Sequence, residues 1–259
     1  MTIKSSLDQL GTEVSFQFPP NRIISLVPSQ TELLADLQLD QQVVGITKYC
    51  VHPSAWSTTK TIIGSTKNFN FEVIDRLNPD LIIANKEENY QAGIERLRQK
   101  YPVWISDVAT LVDAYAMITA IGTLTGTETK AQQINQNISS QFSRVQKKSN
   151  QSVLYLIWKK PWMGAGQGTF IDAMLRTLNL KNVIEASRYP ELTSEQLGSL
   201  KPDFIFLSSE PYPFRQKHLA ELHEMSPSSK VVLVDGEMFS WYGSRLIYAP
   251  DYFNLLRLD

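Results

Sequence analysis

The segment KYCVHP contains two side chains that could coordinate a metal, Cys50 and His52. Their spacing can present a soft thiolate and a borderline imidazole to the same ion. Two ligands alone form an incomplete metal site, so the alternative is a buried thiol beside a histidine that caps a turn. Cys50 is the single cysteine of the sequence, which excludes an internal disulfide and a zinc site built from several thiolates.

Glu72 and Glu195 stand at matching positions of an internal repeat. The segments NFEVIDRLNPDLIIA and TSEQLGSLKPDFIFL align at a constant offset of 123 residues. Each copy predicts an N-cap residue (Asn70 or Thr193), a short helix, a Pro-Asp turn and a buried strand. A glutamate two residues after an N-cap stabilises the helix by about 0.3–1 kcal/mol through its interaction with the helix dipole. This is one interpretation of the role of Glu72 and Glu195. The two copies predict two similar lobes.

Aromatic side chains concentrate in the segments that follow predicted strands, where open α/β sheets place their ligands. Such flat side chains suit a large planar ligand, because they cover it with little loss of conformational freedom. The candidate ligand contacts are Tyr49, Trp56, Trp162, Phe239, Trp241 and Tyr242. Trp104 and Trp158 are expected to be structural. The glycine-rich segment WMGAGQG is expected to let the backbone approach a bulky ligand.

Composition argues against several classes of protein. Lys plus Arg number 25 and Asp plus Glu number 26, so the net charge of -1 offers no general attraction for nucleic acid. The apolar runs have the length of buried strands, and a membrane-spanning segment is not expected. No nucleophile stands with a base, and His218 and His223 lie in a charged helical segment where we expect them to be solvated. The sequence therefore predicts a binding protein rather than an enzyme.

Short apolar runs alternate with amphipathic segments along the chain, which indicates βαβ units with parallel strands. From Gly126 to Asn150 apolar residues recur at helical spacing, and this pattern predicts one long helix. A new α/β series follows it. The predicted organisation is an N-terminal α/β lobe over 1–125, a linking helix over 126–150 and a C-terminal α/β lobe over 151–259.

Taken together, these patterns resemble the class of periplasmic binding proteins that receives cobalamin, haem and iron siderophores. The resemblance rests on RIISLVPSQTELLADLQL, the two L-x-P-D-strand units, the central helix and GTFIDAMLRTLNLKNVIE, and DGEMFSWYGSR is most similar to the cobalamin-binding members. It implies an α/β fold with two Rossmann-like lobes of parallel sheet, joined by a long rigid interdomain helix, with the ligand cleft between the lobes. One stiff helix implies that closure is a small hinge motion.

The resemblance also implies roles for particular residues. In this class an acidic residue of each lobe docks with arginines on the two permease subunits, and Glu72 and Glu195 stand at those positions. Glu237 and Arg245 match polar ligand-facing positions of the cobalamin binders, with a surface ion pair as the alternative interpretation. His52 could act as an axial ligand to cobalt or iron.

The resemblance implies that the chain is the substrate-binding protein of an ABC importer. We expect it to capture a metal-centred compound, a cobalamin or other corrinoid before haem or a ferric siderophore, and to require no cofactor. Its expected partners are that ligand and a permease dimer, and we expect a monomer in the periplasm or cell envelope. The opening residues lack the apolar core of a secretory signal. A cytoplasmic corrinoid-handling or haem-handling protein without a transporter is therefore the alternative.

Overall fold

The computed structural model describes residues 2–258, which fold into two compact units. The first unit comprises the chain up to Val108, Val112–Ser140 and Tyr242–Ile247. The second comprises Ala109–Leu111, Gln141–Trp241 and the chain from Tyr248 onward. Within residues 2–258 every helix is too short or too polar to cross a lipid bilayer.

The first unit is built on a parallel sheet of five strands. The strands of the whole unit are β1 (Thr2–Leu7), β2 (Glu13–Phe18), β3 (Ile23–Ser25), β4 (Val43–Ile46), β5 (Thr61–Ile62), β6 (Gly64–Ser65), β7 (Asn68–Phe69), β8 (Leu81–Asn85) and β9 (Val103–Ser106). The sheet has the order β5-β4-β3-β8-β9, and all its pairings are parallel. β3, β8 and β9 are buried along their whole length, as expected for parallel strands with both faces covered. β1 and β2 form a separate antiparallel hairpin.

The helices of the first half are α1 (Pro28–Asp36), α2 (Trp56–Thr59), α3 (Phe71–Leu77), α4 (Gln91–Arg98), α5 (Leu111–Thr125) and α6 (Glu128–Phe142). A 3-10 helix at Ser244–Ile247 also belongs to the first unit and contacts α1.

The helix predicted from Gly126 to Asn150 is shorter than expected. Gly126 has φ +71°, a left-handed conformation that ends α5, and α6 begins at Glu128. After Phe142 the α-helical pattern stops: the amides of Arg144 and Val145 donate to the carbonyls three residues back, and that of Gln146 donates to Asn254 Oδ1 at 2.8 Å. The first unit includes α6 up to Ser140, whereas the sequence predicts a separate linking helix over 126–150.

The second unit contains a mixed sheet. Its strands are β10 (Ser152–Trp158), β11 (Trp162–Gly164), β12 (Lys181–Asn182), β13 (Glu191–Leu192), β14 (Phe204–Ser208) and β15 (Lys230–Val234). The order is β13-β11-β10-β14-β15, with β12 also paired to β10. β10, β14 and β15 are parallel as predicted, but β11 is antiparallel to both β10 and β13. The connection from β10 to β11 is too short for a parallel crossover, which accounts for this difference.

The helices of the second unit are α7 (Phe170–Thr177), α8 (Ser194–Leu200), α9 (Lys217–Met225), α10 (Gly236–Ser240) and α11 (Ala249–Leu255). Aliphatic and aromatic side chains of β10 and β14 form the centre of its core with Leu197 of α8 and Leu222 of α9.

The internal repeat reappears at the helix N-termini. Asn70 Oδ1 accepts a hydrogen bond from Val73 N at 3.2 Å, and Thr193 Oγ1 accepts one from Gln196 N at 3.2 Å. Gln196 Oε1 in turn accepts from Thr193 N at 2.8 Å, which completes a capping box in the second copy. Both predicted N-caps are confirmed.

The Pro-Asp turns of the repeat also play the same part in both units. Asp80 accepts the backbone amides of Asn21 and Arg22 at 2.8 and 2.9 Å. Asp203 accepts the amide and the hydroxyl of Ser152, both at 2.7 Å. Each aspartate thus ties the start of one strand to the start of the neighbouring strand, β8 to β3 and β14 to β10.

Candidate ligand-binding and docking sites

The carboxyl ends of the first unit's parallel strands carry buried polar side chains. Asn85 Nδ2 donates to Ser106 O at 3.1 Å and to Ser106 Oγ at 2.9 Å, and Gln30 Nε2 also donates to Ser106 Oγ. Asn89 Nδ2 donates to the carbonyl of Leu26 at 3.1 Å. Sequence reasoning missed this network, which holds the loop after β8 and the first turn of α1.

Tyr49 is the predicted ligand contact that the first unit exposes most clearly. It follows the carboxyl end of β4, and half of its surface is accessible, at 50%. Lys48 Nζ lies 5.0 Å from the centroid of its ring. An accessible ring with a cation beside it can stack on a flat ligand.

Cys50 and His52 do not share one environment. Cys50 is buried, and its Sγ lies 3.0 Å from Thr31 Oγ1 and 3.2 Å from Thr47 Oγ1. Burial raises the pKa of the Cys50 thiol, which disfavours the thiolate that a metal would need. The structure therefore supports the buried-thiol alternative for Cys50, whereas His52 is half-buried.

Metal-binding side chains are not gathered elsewhere in the part of the chain that the structure describes. Over residues 2–258 no group of three or more His, Cys, Asp or Glu side chains is arranged to hold a metal ion.

Trp56, Trp162 and Phe239, which the sequence predicts as ligand contacts, are buried in the structure. Trp56 is buried in α2, with Lys60 Nζ 5.0 Å from its ring centroid. Trp162 is buried in β11 and stacks on Phe214 with ring centroids 6.2 Å apart. Phe239 is fully buried against aromatic side chains of the second unit. Burial of these large rings adds hydrophobic stabilisation to the fold.

Trp158 takes the opposite position from the one predicted. It is the last residue of β10, and 39% of its surface is accessible rather than buried. Its ring meets that of Tyr212 edge to face, with centroids 5.6 Å apart. The sequence signal that could have indicated this was its place at the carboxyl end of a strand, where ligands bind in open sheets.

Trp241 is buried beside a carboxylate that the sequence did not reveal. Its Nε1 donates to Glu210 Oε1 at 2.7 Å, and Ser240 Oγ donates to the same oxygen at 2.8 Å. Burial raises the pKa of Glu210; the hydrogen bonds from Ser240 and Trp241 act against that rise, and the negative charges of Glu237 and Asp235 add to it. Glu237 itself is half-buried in the first turn of α10.

Arg245 forms a bidentate ion pair with Glu32 of α1. Arg245 Nε donates to Glu32 Oε2 at 2.7 Å and Nη2 donates to Oε1 at 2.6 Å, with the two side chains only 14% and 13% exposed. Burial raises the pKa of Glu32, while hydrogen bonding and the charge of Arg245 act against that rise. An ion pair was the alternative interpretation of Arg245, but this pair lies largely inside the unit. The adjacent Tyr242 is also buried.

His218 is buried, which corrects the expectation of a solvated side chain. Its Nδ1 accepts a hydrogen bond from Arg215 N at 2.9 Å, and its ring meets those of Tyr212 and Phe214 edge to face. Burial lowers the pKa of the imidazole. His223 is exposed as expected.

The glycines of WMGAGQG allow close approach within the second unit itself. A Cβ on Gly164 would lie 2.1 Å from Ile184 Cδ1, and one on Gly166 would lie 2.0 Å from Ala186 O. Packing against the following segment accounts for these glycines, in place of the expected approach to a ligand.

Glu72 and Glu195 are both exposed at the second position of their helices. Around Glu72 the surface forms an open depression of about 610 Å³. The residues that line it are Gly64, Asn68, Phe69, Asn70, Phe71, Glu72 and Arg96.

Comparison with known proteins gives the family. The sequence model of the periplasmic binding protein family matches residues 23–227. An uncharacterised ABC transporter substrate-binding lipoprotein, YvrC of Bacillus subtilis, is 27% identical over 212 residues, 76% of this chain and 67% of that protein. The vitamin B12-binding protein of Pectobacterium carotovorum is 24% identical over 245 residues, 89% of this chain and 86% of that protein.

A solved structure shows the same fold. The periplasmic vitamin B12-binding protein BtuF of Vibrio cholerae superimposes with a TM-score of 0.74 and 22% identity, over 92% of this chain and 96% of that one. The chain belongs to the periplasmic binding protein family, in its two-lobed α/β class.

Proposed function

We propose that this chain captures a metal-centred compound, with a corrinoid as the favoured ligand, and delivers it to the permease of an ABC importer. The family match and the relatives named for vitamin B12 support this role. In this role the protein binds its ligand without transforming it, and it acts as a monomer. The proposed site of action is the cell envelope, because an importer receives its substrate outside the cytoplasmic membrane.

One structural observation carries the proposal for the ligand. Each unit presents an accessible aromatic ring just after the carboxyl end of a parallel strand or at its last residue: Tyr49 after β4 and Trp158 in β10. These positions are those at which open α/β sheets bind ligands, and flat rings suit the face of a corrin or porphyrin. We propose Tyr49 and Trp158 as ligand contacts.

Titration of the purified protein with cyanocobalamin, cobinamide, haem and a ferric siderophore tests the ligand class. Tryptophan fluorescence and the visible spectrum of the ligand report binding. We expect saturable binding of a corrinoid with a Kd of about 1 µM or below. If only haem or only the siderophore binds tightly, that compound replaces the corrinoid as the proposed ligand. If none of the four compounds binds, the proposal is refuted.

Substitution of the two rings tests the site. Tyr49→Ala and Trp158→Ala should each weaken binding by roughly tenfold, as loss of an aromatic contact in a ligand site does. Tyr248→Ala is the matched control, because Tyr248 is an exposed aromatic residue that follows the 3-10 helix at Ser244–Ile247 in the chain rather than a strand. His52→Ala tests axial ligation through the visible absorption band of the bound metal. If binding to the wild type shifts this band and the shift is lost in His52→Ala, axial ligation by His52 is supported. If the band is the same in both proteins, axial ligation by His52 is excluded.

We also propose that Glu72 and Glu195 dock the protein to the two permease subunits. Both side chains are exposed at the same position of a repeated, capped helix, so each unit offers one carboxylate, one for each permease subunit. Reversal of both charges, Glu72→Arg with Glu195→Arg, should leave ligand binding intact and abolish stimulation of the transporter. Unchanged transport by this double variant would contradict the docking role.

A further inference from the structure

The surface next to Glu72 contains a cation held on an aromatic ring. The guanidinium carbon of Arg96, in α4, lies 3.9 Å from the centroid of the Phe71 ring in α3. Phe71 meets Phe69 edge to face at 6.2 Å, and Phe69 packs against Tyr90 at 4.8 Å. The buried Phe69 therefore supports the half-buried ring on which Arg96 lies.

This arrangement keeps Arg96 exposed and oriented. A guanidinium stacked on a ring is attracted by the ring and loses less conformational freedom when it binds a carboxylate. Arg96 and Glu72 line the same open depression, so a positive and a negative group face one surface. Such a pair can recognise a partner that presents the opposite charges in the matching order.

The repeated helix of the second unit, α8, lacks the aromatic ring that supports Arg96 in the first unit. At the offset of the repeat, Glu72 corresponds to Glu195, but Phe71 corresponds to Ser194. Ser194 is exposed and offers no ring on which a guanidinium could stack. The two copies therefore share the carboxylate and differ in the residue beside it.

We propose that Arg96, supported by Phe71, is a second permease contact of the first unit and receives a carboxylate of the permease subunit. This inference rests on the proposed docking role of Glu72. The occupant of the depression is a permease surface with a basic side chain opposite Glu72 and an acidic side chain opposite Arg96. The two units then dock unequally, and the first contributes more of the affinity.

The test measures binding of the ligand-loaded protein to its ABC transporter in lipid nanodiscs. Arg96→Glu should weaken that binding by about tenfold or more and leave ligand titration unchanged. Glu72→Arg should cost more affinity than Glu195→Arg. Lys4→Glu is the matched control: Lys4 is also an exposed cation over a phenylalanine ring, Phe18, but it lies on the β1–β2 hairpin.

The possible outcomes separate the two proposals. If Arg96→Glu binds the transporter as tightly as the wild type while Glu72→Arg does not, the role of Arg96 is refuted and docking through Glu72 stands. If Arg96→Glu, Glu72→Arg and Glu195→Arg all bind as the wild type does, both proposals fall. An equal loss in Lys4→Glu and Arg96→Glu would show a general effect of charge and would also refute the role of Arg96.

Discussion

Arg245 and Glu32 show how a pair of charges is used inside the first unit. The guanidinium fork meets both carboxylate oxygens, and water reaches little of either side chain. Charge-assisted bidentate bonds of this kind fix geometry as well as adding energy. The pair therefore fastens the 3-10 helix at Ser244–Ile247 to α1.

Removal of Arg245 should destabilise the protein in a pH-dependent way. Arg245→Met leaves the Glu32 carboxylate without its cation, and we expect a loss of about 3 kcal/mol in the free energy of unfolding near neutral pH. Burial already raises the pKa of Glu32 from its usual 4.5, and loss of the cation raises it further. At a pH between the pKa of Glu32 in the unfolded chain and its raised pKa in the folded variant, the folded variant keeps a proton on Glu32 that the unfolded chain has lost. Its deficit should therefore be largest above the raised pKa and shrink as the pH falls toward 4.5.

Urea denaturation of Arg245→Met and the wild type at neutral and acidic pH measures this difference. The double variant Glu32→Gln with Arg245→Met is the control, because it removes the isolated charge and should recover part of the stability near neutral pH. A deficit that is the same at both pH values, or that the double variant does not reduce, would show that packing rather than charge is responsible.

At the scale of the element, α3 and α8 show which parts of the fold local physics determines. The N-caps Asn70 and Thr193 were predictable because a side-chain oxygen and an amide three residues on are neighbours in any helix start. The helix predicted over 126–150 was too long. Apolar spacing continues past the C-terminal end of α6 to Val145, whereas the positive φ of Gly126 and the bond from Gln146 to Asn254 set the limits of the helix.

The capping box of α8 predicts a specific loss of stability. Thr193→Ala removes the acceptor for Gln196 N, and we expect the free energy of unfolding to fall by about 1 kcal/mol. Thr193→Ser retains the hydroxyl and should remain close to the wild type. Chemical denaturation compares the three proteins, and an equal loss in the serine variant would attribute the effect to the threonine methyl group instead.

At the scale of the whole molecule, the end of the chain does not stay within the second unit. Tyr242–Ile247 belongs to the first unit, although the residues on either side belong to the second. Gly243 allows this segment to approach α1, because a Cβ at this position would lie 2.4 Å from Ser29 O. The predicted boundary, with one lobe from 151 to the end, does not include this return of the chain.

Gly243→Ala should therefore disturb the first unit from a position near the C-terminus. We expect hydrogen exchange of the α1 amides to quicken by about tenfold, since the new methyl group must displace Ser29 or its own segment. Amides of β14 and β15, in the second unit, should exchange as in the wild type. Mass spectrometry of peptides from both regions measures this, and faster exchange confined to β14 and β15 would contradict the prediction.

The α/β class, the internal repeat, its helix caps and the presence of parallel strands in both halves of the chain follow from the amino-acid sequence alone. These features depend on short-range spacing and on apolar runs, both of which can be read along the chain. Which rings are accessible depends on tertiary packing, because Trp158 is exposed whereas Trp162, four residues later, is buried. Tertiary packing also joins Arg245 to Glu32, 213 residues apart. Side-chain burial and such pairings depend on how distant segments pack together, and spacing along the chain carries no record of that.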